Sequence, residues 1–199
     1  MTETAGIMPA PGLYAVTPDD ADSARLLALV EQVLRGRPAL MQYRSKLASA
    51  ALRRTQAEAV LALCRQAGVP LVVNDDLELA QAIDADGVHL GRDDGDPAQA
   101  RLALGANRII GVTCYNEWAR AQAGVAAGAD YVAFGAVFVS PTKPHAVHAP
   151  FELLARARRE LRVPVAAIGG ITLDNVAAVI AAGAGYPAVI SDVFGAPDP

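Results

Sequence analysis

Two short apolar segments run directly into acidic residues, and these are the first side chains that could do chemistry. One segment ends at Asn74, Asp75 and Asp76, and the other is followed shortly by Asp93 and Asp94. Unpaired carboxylates are costly to bury, so we expect both groups at one rim of the fold, where they could hold a hard cation. Helix N-caps at Asp75 and Asp76, and a solvated turn at Asp93 and Asp94, are the competing interpretations.

A second set of polar side chains is cationic. Gln42, Arg44 and Lys46 alternate along and just past another apolar segment. In an extended strand alternate side chains point to the same side, and Arg and Lys aimed together suggest a phosphate or diphosphate ligand. The same residues are also compatible with a solvated loop whose charges have no common ligand.

A third set lies near the end of the chain, where Gly169-Gly170 and Ile190-Ser191 each follow an apolar segment. Glycine lets backbone N–H groups approach a phosphate closely, although a tight turn before a helix is equally compatible with these letters. His89, by contrast, lies inside an apolar segment. We expect it to be a hydrogen-bonded core residue rather than a metal ligand.

The segments that must position these residues recur in the order strand, then helix, roughly every 25 residues. Eight such units predict an α/β fold, a (β/α)8 TIM barrel, with residues 1–199 in a single domain. A doubly wound open sheet is the rival, but no Gly-x-Gly-x-x-Gly follows the first strand. Few residues follow Ser191, so the last helix should be short or truncated. Besides the two strands that end at the acidic residues, we expect strands over Leu13–Thr17, Leu40–Arg44, Ile109–Thr113, Tyr131–Val137, Pro164–Gly170 and Ala188–Ser191.

In a TIM barrel the site lies at the carboxyl ends of the strands. The polar and glycine residues at or just past those ends become the candidate site. They are Thr17, Gln42, Arg44, Lys46, Asn74, Asp75, Asp94, Thr113, Ser140, Thr142, Lys143, Gly169, Gly170, Ile190 and Ser191.

The composition limits the classes of binding partner and the cellular location that we expect for this protein. The formal net charge of -4 gives no general basic surface, so we expect no nucleic-acid partner. No apolar run approaches the ~20 residues needed to span a bilayer, and the first residues lack the pattern of a signal peptide. Cys64 and Cys114 lie in apolar surroundings without motif spacing, which favours a reducing compartment. We expect a cytoplasmic protein that acts on small molecules, with a homo-oligomer left open.

Taken in order, these motifs resemble the thiamine phosphate synthase family over nearly the whole chain, from Gly12 to Ser191. The resemblance implies a Mg2+ cofactor on Asp75 and Asp94, and catalytic cations at Arg44, Lys46 and Lys143. The substrate-binding residues that it implies are Gln42, Tyr43, Arg44, Ser45, Lys46, Asn74, Thr113, Ser140, Pro141, Thr142, Lys143, Gly170, Ile190 and Ser191.

The reaction implied by the resemblance joins a pyrimidine diphosphate to a thiazole phosphate, with loss of pyrophosphate. Mg2+ and the cationic side chains would stabilise the departing pyrophosphate, while the aminopyrimidine stabilises a cationic methylene that the thiazole nitrogen attacks. No general base is needed, which fits the absence of a histidine placed for that role.

The chain departs from the family pattern at four places. Val139-Ser140 replaces the usual Pro-Thr, and Thr113-Cys114-Tyr115 replaces a Ser/Thr segment that often ends in His. Gly185-Tyr186-Pro187 replaces an Asp-Gly before the last strand, and Asp192 replaces a small residue. A carboxylate facing a phosphate turn would weaken anion binding, so we expect Asp192 to point away or to cap the last helix.

Two other functions compete with the synthase. A thiazole tautomerase-like barrel would want a titratable group such as His in the mouth and would not need two metal-binding carboxylates. A non-catalytic barrel that binds a phosphate ligand is the other alternative, and only Asp192 and the short C-terminus favour it.

Overall fold

The computed structural model describes residues 7–138 and 147–197. The predicted roles of Ser140, Pro141, Thr142 and Lys143 therefore fall outside the described residues. The strands are β1 Tyr14–Val16, β2 Leu40–Tyr43, β3 Leu71–Asn74, β4 Gly87–Leu90, β5 Ile109–Tyr115, β6 Tyr131–Gly135, β7 Val165–Ile168 and β8 Tyr186–Val189. The helices are α1 Ser23–Arg35, α2 Ala50–Ala67, α3 Leu77–Ala82, α4 Pro97–Leu104, α5 Trp118–Ala126, α6 Phe151–Glu160, α7 Val176–Ala181 and α8 Ser191–Phe194.

The eight strands form one closed barrel in chain order, and every neighbouring pair is parallel. Closure occurs where β1 pairs with both β2 and β8, through Tyr14 opposite Leu40 and Ala188. The predicted TIM barrel is therefore confirmed. The last helix, α8, has one turn, as expected for a short final element.

Side chains alternate between two layers along each strand, as the pleat requires. Tyr14, Leu40, Val72, Ile109 and Tyr131 belong to the cluster that fills the barrel. The intervening residues pack outward against the helices in two larger apolar clusters, one on each half of the barrel. Each strand contributes side chains to both layers. The position of a strand in the barrel therefore fixes the direction in which the residue after it points.

Side-chain caps start four of the helices. Asp22, Ser49, Asp76 and Asp96 each accept a hydrogen bond from a backbone N–H of the first turn. The interpretation of Asp76 as a helix N-cap is confirmed, since its Oδ1 accepts a hydrogen bond from the Leu79 N–H at 2.9 Å. The N-cap of α3 is Asp76 and not Asp75.

The last strand differs from its predicted bounds. It runs over Tyr186–Val189 rather than Ala188–Ser191, and Ser191 begins α8. The reason is that Gly185 already donates to the Val165 carbonyl at 2.9 Å, so pairing with β7 starts earlier. None of the described helices is both long and apolar enough to cross a bilayer.

Candidate active site

The carboxylates of Asp75 and Asp94 meet at the carboxyl ends of β3 and β4. Burial and the neighbouring Asp75 carboxylate raise the pKa of Asp94, while a hydrogen bond from the Gly91 N–H to its Oδ2 at 3.0 Å opposes this rise. A Cβ on Gly91 would lie 2.4 Å from Asp94 Oδ2 and 3.7 Å from Asp75 Oδ1, so glycine leaves room for both groups. Two carboxylates this close form a donor pair that a divalent cation would relieve.

The backbone holds Asp75 in an uncommon conformation. Its φ is 64°, in the left-handed region that Asp tolerates better than most residues. Its N–H donates to the His89 carbonyl at 2.8 Å, which ties the end of β3 to β4. Asp93 is exposed, as expected for a turn. Within residues 7–138 and 147–197, no group of three or more His, Cys, Asp or Glu side chains could hold a metal ion.

An open cleft of about 600 Å³ lies over this pair. The Lys46 ammonium borders it and lies 3.3 Å from Asp75 Oδ2, as an ion pair. Ser45 and Asn74, both predicted to bind substrate, also line it. The cleft residues are Ser45, Lys46, Arg53, Asn74, Asp75, Asp76, Leu77, Glu78 and Asp94.

Asp19 organises the cationic residues, and sequence reasoning assigned it no role. Its Oδ2 accepts from Arg44 Nη1 at 2.5 Å, and its Oδ1 accepts from the Lys46 backbone N–H. Burial raises the pKa of Asp19, but these bonds outweigh that effect and the pKa is lowered overall. The available signal was its position directly after β1, where a TIM barrel places site residues.

Strand β2, which ends just before Arg44, directs two predicted substrate-binding residues to opposite sides. Gln42 points into the barrel, where its amide nitrogen donates to the Tyr14 hydroxyl. Tyr43 points the other way, and its hydroxyl donates to Gln56 Oε1 of α2 at 2.9 Å. The Tyr43 side chain therefore lies in the layer between β2 and α2 and does not reach the mouth, because consecutive residues of a strand face opposite sides.

Polar side chains continue from Gln42 across the barrel interior. The Tyr14 and Tyr131 hydroxyls are 2.6 Å apart, and Tyr131 bonds His89 Nδ1 at 2.7 Å. His89 Nε2 bonds Thr113 Oγ1, also at 2.7 Å. Burial lowers the pKa of His89 to about 4, with the Asp75 charge opposing it. The expectation of a hydrogen-bonded core histidine is confirmed, whereas Tyr14 and Tyr131 had no predicted polar role.

Close backbone packing makes room for this interior chain. A Cβ on Gly111 would lie 2.1 Å from Tyr131 Cζ, so the tyrosine ring lies directly over that glycine. The His89 ring stacks on Tyr131, with ring centroids 5.5 Å apart. Thr113 is half-buried at the carboxyl end of β5, where the register with β6 shifts between Thr113 and Tyr115.

Arg120 of α5 connects the carboxyl ends of two neighbouring strands, β4 and β5. Its Nε donates to the Thr113 carbonyl at 2.6 Å and its Nη2 donates to the Gly91 carbonyl at 2.8 Å. The loop that carries Asp94 is thus joined to the end of β5. Nothing in the local sequence pattern distinguishes Arg120 from a solvated helical arginine.

The predicted phosphate turns lie at the ends of β7 and β8. Gly169 and Gly170 have φ of 107° and 63°, and the Gly170 carbonyl accepts from Asn175 Nδ2 at 2.9 Å. Ile190 and Ser191 follow β8 directly. Asp192 Oδ2 accepts from the Leu173 N–H at 2.8 Å, so it links α8 to the loop after β7.

Comparisons with known proteins agree in family and fold. The family model described as thiamine monophosphate synthase matches residues 13–193. The chain is 70% identical over 188 residues to the thiamine-phosphate synthase of Aromatoleum aromaticum, covering 94% of this chain and 90% of that protein. It is 65% identical to that of an Azoarcus species, covering 94% and 91%. The solved thiamine phosphate pyrophosphorylase from Pyrococcus furiosus superposes with a TM-score of 0.83 at 33% identity, covering 94% and 89% of the two chains.

Proposed function

The chain belongs to the thiamine monophosphate synthase family, a family of transferases, and on this premise we propose how its barrel mouth makes thiamine phosphate. The substrates in this proposal are 4-amino-2-methyl-5-(diphosphooxymethyl)pyrimidine and thiazole phosphate. A C–N bond forms between the pyrimidine methylene and the thiazole nitrogen, and the C–O bond to diphosphate breaks. Pyrophosphate leaves with the electron pair of that bond.

The observation that carries the proposal is the pairing of Asp75 with Asp94 beside the Lys46 ammonium. Two adjacent carboxylates repel each other, and oxygen donors of this kind suit Mg2+. Asp75 and Asp94 would hold the ion, with oxygens of the diphosphate completing its shell. Bound Mg2+ would supply positive charge to the leaving diphosphate.

The remaining positive charge comes from side chains. Lys46 already lies against the carboxylate pair, and Arg44 is held beside it by Asp19. Fixed cations lower a barrier most when charge develops next to them in the transition state, as it does on departing pyrophosphate. Arg44 and Lys46 therefore stabilise the leaving group, Asn74 and Gln42 orient the pyrimidine, and Lys143 adds a third cation. Gly170, Ile190 and Ser191 hold the thiazole phosphate.

His89 argues against the tautomerase alternative. Both of its ring nitrogens are engaged in hydrogen bonds, and burial lowers its pKa to about 4. An acid–base catalyst works best with a pKa near the working pH, so His89 does not suit a proton shuttle at the mouth. We further propose that residues 1–199 form one domain, since the barrel closes with strands from both ends of the chain. The cytoplasmic location and any homo-oligomer stay predictions.

Replacing Asp94 tests the proposal. The purified chain is incubated with both substrates and Mg2+, and thiamine phosphate and pyrophosphate are measured together. Asp94→Asn should lower the rate at least a hundredfold, because the metal loses one of its two carboxylates. Asp93→Asn, which neutralises the exposed adjacent carboxylate, should retain nearly full activity.

Other outcomes would contradict the proposal. Undiminished turnover in EDTA would exclude metal-assisted departure of pyrophosphate. Isomerised thiazole without thiamine phosphate would favour the tautomerase. Tight binding of phosphate ligands without any product would favour the non-catalytic barrel.

A further inference from the structure

Five polar side chains, each from a different strand, form one continuous chain of hydrogen bonds inside the barrel. It passes from Gln42 to Tyr14, Tyr131, His89 and Thr113. Tyr14 and Tyr131 are at most 1% exposed, and Gln42 and His89 are also buried. Thr113, at the mouth, is the half-buried end of the chain.

The amide of Gln42 sets the direction of this chain. An amide nitrogen only donates, so Tyr14 accepts from Gln42 Nε2 and directs its own proton to the Tyr131 hydroxyl. Tyr131 in turn directs its proton to His89 Nδ1. Each hydroxyl has one proton to give, so fixing the first bond orients the others.

His89 passes this direction on to the mouth. Its ring is buried and is bonded to two hydroxyls rather than to a carboxylate, so it is neutral and carries one proton. With Nδ1 accepting from Tyr131, the proton is on Nε2, which donates to Thr113 Oγ1. Among the residues that the structure describes, Thr113 Oγ1 has His89 as its side-chain partner. Its own proton is then free to point into the mouth.

We propose that Gln42, Tyr14 and Tyr131 fix the tautomer of His89 and thereby make the Thr113 hydroxyl a hydrogen-bond donor at the barrel mouth. Thr113 would then select a ligand atom that accepts a hydrogen bond, such as an unprotonated ring nitrogen, over one that donates. His89 and the two tyrosines are positioning residues, since they act through Thr113. Where the ligand lies depends on the proposed function, but the tautomer does not.

The tautomer can be read directly from the 15N chemical shifts of the imidazole nitrogens at neutral pH. The His89 signals are assigned by their loss in His89→Gln. The native protein should show a protonated Nε2 and an unprotonated Nδ1. A native His89 protonated on Nδ1, or doubly protonated, would overturn the proposal, and this result needs no substrate.

Two phenylalanine substitutions test the role of the chain. Tyr131→Phe keeps the ring that stacks on His89 but removes the donor to Nδ1, so the two nitrogen shifts should move towards each other as the second tautomer becomes populated. Tyr186→Phe is the matched control, because Tyr186 is an equally buried barrel tyrosine whose hydroxyl donates to the Pro9 carbonyl, outside the chain. Unchanged His89 shifts in Tyr131→Phe would show that Tyr131 does not fix the tautomer.

Kinetics test the donor role of Thr113 separately. Thr113→Val should raise KM for the pyrimidine diphosphate or lower kcat roughly tenfold, and Thr113→Ser should restore most of the loss. An equal effect of both substitutions would contradict a role for the hydroxyl. If the native chain makes no thiamine phosphate, the proposed function fails while the tautomer result stands.

Discussion

At the scale of single residues, the mouth depends on carboxylates with three separate roles. Asp75 and Asp94 face each other, Asp76 caps α3, and Asp19 binds the cationic segment after β2. Their neighbours decide these roles, since the side chains are chemically identical. Asp19 accepts from both a guanidinium and a backbone N–H, so it places Arg44 and Lys46 together.

Asp19→Asn should therefore impair catalysis without removing a metal ligand. The amide keeps the shape but loses the charge that holds Arg44, so we expect kcat to fall roughly tenfold or more. Steady-state kinetics with varied pyrimidine diphosphate and Mg2+ would measure this, with apparent Mg2+ affinity nearly unchanged.

Asp20→Asn is the matched control for that substitution. Asp20 is the adjacent carboxylate, but it accepts from Arg25 and from the Asp22 N–H, away from Arg44. A comparable loss of kcat in both variants would point to a general effect on the loop after β1 and against a specific role for Asp19.

At the scale of elements, the carboxyl ends of β4 and β5 are aligned by a helix that follows them. Arg120 of α5 bonds the carbonyls of Gly91 and Thr113, which flank the loop that carries Asp94 and the interior hydrogen-bond chain. A single arginine therefore joins the Asp94 loop to the strand that carries Thr113. Arg120 stabilises this arrangement because hydrogen bonds from a charged guanidinium to backbone carbonyls are stronger than hydrogen bonds between neutral groups.

Arg120→Met should lower both stability and metal affinity. Loss of two charge-assisted hydrogen bonds should reduce the free energy of unfolding by about 2–3 kcal/mol, measured by urea denaturation. Mg2+ binding, followed by calorimetry, should weaken as the Asp94 loop loosens.

Arg54→Met provides the comparison for Arg120. Arg54 is an exposed arginine of α2 in an i,i+4 pair with Glu58, and such pairs contribute about 0.3–0.5 kcal/mol. Equal destabilisation by the two substitutions would show that the two Arg120 hydrogen bonds contribute no more to stability than an exposed ion pair. Unchanged Mg2+ affinity in Arg120→Met would show that they do not position the Asp94 loop.

At the scale of the whole molecule, closing eight short strands into one barrel requires some backbones to approach closely. A Cβ on Gly87 would lie 2.0 Å from the Ile109 carbonyl oxygen, which is backbone and cannot rotate away. Gly87 begins β4 and is opposite Ile109 in the register with β5. The seam between β4 and β5 therefore admits no side chain at Gly87, which lies at the amino ends of these strands, away from the site.

Gly87→Ala should destabilise the barrel by several kcal/mol, on the order of 4, because the seam must open to fit the methyl group. Thermal or urea unfolding would measure it. Gly185→Ala, at the glycine before β8, is the control, since its Cβ would have its nearest atom at 3.6 Å. A small effect at Gly87 would mean that the register can shift at low cost.

Much of this architecture was predictable from local pattern. Apolar segments separated by helices gave the eight-strand order, and polar residues after each segment indicated the rim where Asp75 and Asp94 meet. The cap at Asp76 and the core position of His89 also followed from their neighbours in the chain. These features depend on residues a few positions apart, for which periodicity and capping are sufficient guides.

Tertiary structure alone decided the features that join distant strands. The Tyr14 and Tyr131 hydroxyls meet across 117 residues of chain, and Asp19 reaches Arg44 across 25. The hydrogen bond from Tyr43 to Gln56 and the two hydrogen bonds of Arg120 likewise depend on which element lies opposite. The amino-acid sequence by itself determined the alternation that aims each side chain inward or outward, whereas barrel closure decided which inward side chains meet, because only the register between strands places their atoms within hydrogen-bonding distance.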